Sequence, residues 1–333
     1  STRLQTVGDL GKKARGGMIA SLFHVTDYLS TIGHDVTVLS DIASTGCTAA
    51  GTKWTHEAWG KYDCLVTNRG TGSGYPEINA DHRILWTHDL PHNGFIPDPR
   101  VMGAFDCTVF MSRYAERVWR SFYKSIRKSV YIPNGVDKKA FYPRAKQGWL
   151  IYASAPNRGL DRLPLILDAL RARTYPDLTL RAYSNLAKLH PGEGEDRFDY
   201  KSIEQSNVTL CDPVPQETLA NVLGQAELMI LPSGYPEICS NIVLQALVSG
   251  TPVITTGNMG ATCEWVKHGK NGMLTEFGPW DYMIHTVEMV RNAERVLNDT
   301  KLHQKLIRGA LRTRVFSWNE IGAKWAKMLT RFC

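Results

Sequence analysis

No apolar run in this chain of 333 residues approaches the roughly 20 that a membrane-spanning helix needs. The first residues also lack the charged-then-apolar pattern of a secretory signal. Cysteine is sparse and scattered, at 47, 64, 107, 211, 239, 263 and 333, with no CxxC spacing. That argues against a zinc ribbon or a disulfide framework and leads us to expect a reducing, cytoplasmic setting, with Cys64, Cys107 and Cys211 as small core residues. No G-x-G-x-x-G fingerprint is present, which counts against a dinucleotide enzyme. Repeats, low-complexity tracts and DNA- or RNA-binding modules are missing too. A net charge of +7 alone is too weak a footprint to predict a nucleic acid partner.

What remains is an ordinary globular composition, 43% apolar and 21% charged, in a chain long enough for two domains of roughly 150 residues each. Short apolar runs alternate with longer amphipathic ones, the pattern of βαβ units and mostly parallel sheets. In the first half, strands are predicted at 3–7, 35–39, 64–67, 83–86, 107–111 and 130–132, with helices at 17–32 and 112–125. A polar, breaker-rich stretch at 142–148 places the domain boundary at 145/146. The second series has strands at 150–153, 178–183, 208–211, 228–231 and 252–255, and helices at 160–173 and 216–225. Three more helices follow, at 280–298, 301–315 and 317–332. The last starts at Ser317 with Glu320 three residues on, a capping-box spacing. The expected fold is α/β, with two Rossmann-like domains, 1–145 and 146–316, and a terminal helix over 317–333.

The chemistry concentrates in residues 233–250. Glu237 follows an apolar strand in a turn, a helix starts near Cys239, Ser240 and Asn241, and a glycine-rich turn (Gly257-Asn258-Met259-Gly260) follows the next strand. In open α/β sheets, ligands bind where strand ends meet helix N-termini, because free amides and the helix dipole favour anions. Arg158 lies in another strand-to-helix loop, and its fork of donors suits a diphosphate, although a solvated arginine is the plain alternative. Gly16 and Gly17 open the first helix, where bare amides could meet a phosphate or simply form a βα turn. His88 ends a strand beside Asp89; it could exchange a hydrogen bond with a substrate hydroxyl or bond its own loop. Arg113, Arg117, Arg120, Lys124 and Arg127 recur at helical spacing. They form either a basic face for an anionic membrane or acceptor, or a solvated outer face. Residues 1–145 hold 18 Lys and Arg against 13 Asp and Glu, which puts most of the excess charge on that side.

Glu237, Gln245, Ala246, Gly250, Pro252 and Val253 resemble the E-x7-E, A-x-x-x-G-x-P-V donor signature of GT-B glycosyltransferases of the GT4 type, with glutamine in place of the second acid. Gly33-His34-Asp35-Val36-Thr37-Val38 is similar to the family's G-H-x-V-T-V, and Ile132-Pro133-Asn134-Gly135-Val136-Asp137 is nearly its interdomain I-P-N-G-V-D. The resemblance runs from Gly16 to about Gly272 and includes the terminal helix. It implies a cleft between the domains, that helix crossing back onto the first, and retaining, metal-independent transfer from a UDP- or GDP-linked sugar to a glycan or lipid-linked acceptor. By the same resemblance, Glu237 holds the donor sugar and Arg158 the diphosphate, with Gly16, Gly17, Cys239, Ser240 and Asn241 near phosphate or sugar oxygens. Gln245 faces the ribose, Val214 lies by the base and His88 near the reacting sugar. Ser154 falls where the family carries a second cation. A non-catalytic binding subunit and a sugar-nucleotide epimerase are the competing readings; Gln245 speaks for the first.

Overall fold

The computed structural model describes residues 7, 17–40, 43–68, 78–91, 102–184 and 198–332. Gly16, His92 and most of the strand expected at 3–7 lie outside the described residues. Contacts divide the chain into two compact units, Ser1–Gly135 with Phe316–Cys333, and Val136–Val315.

In the first unit, helix α1 (Gly17–Thr31) buries Val25 and Leu29, and Leu22 packs on a small cluster around Val38 and Trp54. The helix stops because Gly33 takes φ +100, which lets Gly33 N–H and His34 N–H return to the Ser30 and Leu29 carbonyls (3.1 Å each). Strands β1 (Thr37–Leu39), β2 (Gly46–Cys47) and β3 (Lys53–Thr55) form a small sheet in the order β1-β3-β2. Strands β4 (Lys61–Asn68), β5 (Asn79–Trp86), β6 (Cys107–Phe110) and β7 (Ser129–Tyr131) form a parallel sheet in chain order. The sequence pattern gave no sign of β2 and β3.

Helix α2 (Arg113–Phe122) starts at Ser112, whose hydroxyl accepts from Ala115 N–H. It ends earlier than the basic spacing predicts, so Arg113 to Arg127 is not one helical stripe. Tyr123 is extended (φ −127, ψ 94), and the chain turns there to bury Tyr123 and Ile126. Arg120 folds back onto the Ile126 carbonyl (3.2 Å) and the Ser129 hydroxyl (2.7 Å), so it braces the turn.

The C-terminal helix Trp318–Leu329 completes this unit. Its capping box closes as the spacing predicts, with Ser317 N–H on Glu320 Oε2 at 2.7 Å and Glu320 N–H on Ser317 Oγ at 3.3 Å. Trp318 stacks on His24 of α1 with ring centres 4.7 Å apart, and Trp325 meets Trp86 at 4.6 Å. Gly322 lies so close to Tyr28 that any Cβ there would overlap the ring.

The second unit is a six-stranded parallel sheet: β8 (Trp149–Tyr152), β9 (Thr179–Tyr183), β10 (Thr209–Cys211), β11 (Leu228–Leu231), β12 (Val253–Thr255) and β13 (Gly272–Leu274). Its order is β10-β9-β8-β11-β12-β13. Strands such as β11 are buried on both faces, as a sheet covered by helices requires. Those helices are α3 (Leu163–Arg173), α4 (Tyr200–Glu204), α5 (Gln216–Gln225), α6 (Asn241–Val248), α7 (Thr262–Trp265), α8 (Tyr282–Asn298) and α9 (Thr300–Arg312). The order runs outward from β8 in one direction and from β11 in the other. A topological switch point therefore lies between these two strands, and their C-terminal loops bound a crevice.

Candidate functional site

The loop after β8 carries Arg158 and the loop after β11 carries Glu237, so the switch point joins two residues 79 positions apart. Arg158 Nε donates to Glu237 Oε1 at 2.7 Å, with the two side chains 17% and 18% exposed. The guanidinium also lies 3.5 Å from the centre of the Tyr235 ring, and Nη1 donates to Asn157 Oδ1 at 2.6 Å. Among the described residues nothing engages Arg158 Nη2 or Glu237 Oε2. The pair thus offers a cationic donor edge and a carboxylate oxygen side by side at the end of the sheet.

Local backbone fixes both partners. Gly159 (φ +94) presses on the Pro232 carbonyl, leaving no space for a Cβ, so the two loops touch directly. Ser184 Oγ holds the Ser154 carbonyl at 2.6 Å. Tyr152 donates its phenol proton to the Ala155 carbonyl, and burial pushes that phenol's pKa far up, so it stays a neutral donor. Beneath Glu237, the Gly257–Gly260 turn sends Ala261 N–H to the Glu237 carbonyl at 2.6 Å. Ser154, in the place where the resemblance expects a second cation, is thus held through its backbone carbonyl.

Cys239 and Ser240 are buried at the start of α6, whose first intrahelical bond runs from Leu244 N–H to Ser240 O (3.2 Å). The Ser240 hydroxyl makes no capping bond, and α6 begins in the segment that follows β11, on the same side of the sheet order as Glu237. One turn further along α6, Gln245 donates to Gln216 Oε1 at 2.7 Å. Gln216 begins α5, two residues after Val214, so Gln245 and the Val214 loop share one end of the unit. His88 and Gly17 belong to the first unit. The His88 ring lies 4.7 Å from the Trp86 ring at the end of β5, and Gly17 accepts from Ser21 Oγ at 2.7 Å.

The helix after β8 starts at Leu163, not at 160, so Arg158 ends a short 3₁₀ turn and Arg162 occupies the position before the helix. Sequence reasoning overlooked Arg162 and its partner His285, both buried. Arg162 Nη1 meets His285 Nδ1 at 2.8 Å, and Nη2 donates to the Pro279 carbonyl at 2.9 Å. Burial, and then the Arg162 charge, lower the His285 pKa to about 4. His285 is therefore neutral, accepts from Arg162 at Nδ1 and donates through Nε2 to Thr256 Oγ1 at 2.9 Å. The cue was present: His285 shares the buried face of α8 with Met289, Val290, Ala293 and Val296. Among the described residues no group of three or more His, Cys, Asp and Glu side chains gathers as a metal site would.

Two parallel-sheet units, a crevice at the switch point and a returning C-terminal helix are the fold of the GT-B glycosyltransferases. Residues 153–297, which hold this crevice, match the family model of Glycosyl transferases group 1. Sucrose-phosphate synthase from Thermosynechococcus elongatus superposes with a TM-score of 0.76 over 98% of this chain and 97% of its own, at 16% identity. AviGT4, a glycosyltransferase involved in avilamycin A biosynthesis, gives 0.59 over 96% and 91%, at 18% identity. HepE of Anabaena, solved in complex with UDP-glucose, gives 0.60 over 75% and 72%, at 17% identity. At these identities the solved structures speak for the fold alone. No curated protein matches the sequence.

Proposed function

We propose that this chain is a retaining, metal-independent glycosyltransferase. It would move a hexosyl or pentosyl group from a UDP- or GDP-linked sugar to a hydroxyl of a glycan or lipid-linked acceptor. The supporting observation is the Arg158–Glu237 pair at the switch point, with Nη2 and Oε2 left for a ligand. When the bond between sugar C1 and the diphosphate oxygen breaks, negative charge grows on the departing diphosphate. A guanidinium already oriented by Glu237, Asn157 and Tyr235 can stabilise that charge without reorganising. Glu237 Oε2 can accept from a sugar hydroxyl and Gln245 from the ribose, and the positive end of the α6 dipole favours the diphosphate charge. His88 is assigned to the sugar or acceptor side, and Gly16 and Gly17 to the diphosphate.

The test is thermal unfolding with UDP, GDP, ADP, TDP and CMP. A ligand at about 100 times its Kd stabilises the folded chain by about 2.7 kcal/mol. One nucleoside diphosphate is expected to raise the Tm of the parent by a few degrees and to lose that effect in Arg158→Ala. No response in the parent to any of them would overturn the reading. Gln245, hydrogen-bonded to Gln216 where the resemblance expects an acid, favours one second reading, a binding subunit. Its mark would be nucleotide binding with no turnover of any sugar conjugate.

A further inference from the structure

We propose that the start of α8, together with the turn before it, docks the protein on an anionic lipid surface. Trp280 is 86% exposed, Met283 59% and Phe277 52%, and Ile284, Val287 and Tyr282 are exposed beside them. Half of the exposed large apolar residues among the described ones thus fall within eleven positions of sequence. Single exposed apolar residues are ordinary, but a contiguous patch marks an interaction surface.

The patch is held rigidly. Glu288 Oε2 accepts from both Glu276 N–H and Phe277 N–H at 3.0 Å. Arg162 grips the Pro279 carbonyl, and Asp281 caps the helix through Ile284 N–H at 3.0 Å. Trp280 therefore projects from a braced turn.

Charge selects the occupant. Met283 and Val287 continue at four-residue spacing into Arg291 and Arg295, both exposed, along one helical stripe. Neither arginine makes an ion pair or hydrogen bond among the described residues. Most acids nearby are committed, Asp281 to the cap, Glu288 to the turn amides and Glu294 to Arg173 at 3.3 Å, which leaves the exposed Glu276 carboxylate against two arginines. An apolar end carrying tryptophan, followed by unpaired arginines, is the chemistry of a helix lying in a headgroup layer. Helix α2 fits less well, because it ends at Phe122 and spends Arg120 on its own fold.

The experiment is flotation of the full chain with vesicles of phosphatidylcholine alone and of phosphatidylcholine mixed equally with phosphatidylglycerol. Binding is expected to the mixed vesicles and to fall with added salt. W280S/M283S is expected to weaken it about tenfold or more, while R291Q/R295Q removes the preference for the anionic vesicles. All four substitutions are at exposed sites, and unchanged thermal midpoints establish that the variants fold. Failure of the parent to bind mixed vesicles, or equal binding by W280S/M283S, would overturn the proposal. So would concentration-dependent self-association of the parent that W280S/M283S abolishes without affecting flotation, since the patch would then serve a second copy.

Discussion

Among the described residues Arg162 makes no ion pair, so its buried guanidinium needs neutral acceptors, and a histidine ring is one only while unprotonated. His285 consequently ties stability to pH. In the unfolded chain a histidine takes up a proton near pH 6.5, whereas folded His285 resists until about pH 4. Between those values the unfolded state binds more protons, so stability falls as pH falls; the full contribution is present above about pH 6.5. A shift of this size corresponds to roughly 3 kcal/mol by linkage. Urea unfolding of the parent and of His285→Gln at pH 7 and pH 4.5 checks this. The parent should be more stable at pH 7, and its advantage should shrink markedly at pH 4.5. An advantage that does not change with pH would mean that His285 is already protonated, or that its protonation does not matter to the fold.

The element that positions Glu237 is the turn between β12 and α7, where Asn258 (φ 54) and Gly260 (φ 62) are left-handed. A Cβ on Gly260 would sit 2.5 Å from both the N and the O of Glu237. Gly260→Ala is expected to destabilise the protein by about 2–4 kcal/mol, from left-handed strain and overpacking together. It should also abolish the nucleotide-induced Tm shift, because the Glu237 backbone must move. Asn258→Gly, which keeps the conformation and meets no such contact, should change stability by less than about 1 kcal/mol. Calorimetry with and without nucleotide separates the two effects; a Gly260→Ala protein with parental Tm and nucleotide response would remove the turn from the site. Much of this architecture was legible. The helix 216–225 and the strand 228–231 fall where periodicity puts them. Strand β13, only three residues long and starting at a glycine, carries no period to detect. Helix α2 shows the opposite error, since the basic spacing continues past Phe122 while burial of Tyr123 and Ile126 ends the helix. Arg158 and Glu237 could each be picked out by residue type and place. Their contact could not, because it depends on β8 and β11 being neighbours in the sheet.

On the scale of the whole chain, the unit that begins the sequence is completed by its final segment. Trp318 stacks on His24, Gly322 seats Tyr28, and Trp325, only 1% exposed, closes over Trp86. A Cβ on Gly135 would lie 2.8 Å from Trp318 N, so the end of the first stretch is packed directly against the start of the last helix. Burying one tryptophan removes about 200 Å² from water, worth roughly 5 kcal/mol at 25 cal/mol per Å². Gross burial of this size, lost with the helix, is large beside the net stability of a typical domain, about 5–15 kcal/mol. Truncation after Val315 should unfold the first unit and leave the second largely intact, because the second unit's sheet and helices lie wholly within Val136–Val315. Hydrogen exchange would show this as loss of amide protection in β4, β5 and β6 with protection kept in β8, β11 and β12. A peptide spanning 316–333, added to the truncated chain, should restore protection to the first set alone. If β4 to β6 stay protected after truncation, the terminal helix is an accessory to that unit; if β11 and β12 lose protection as well, the two units do not fold independently.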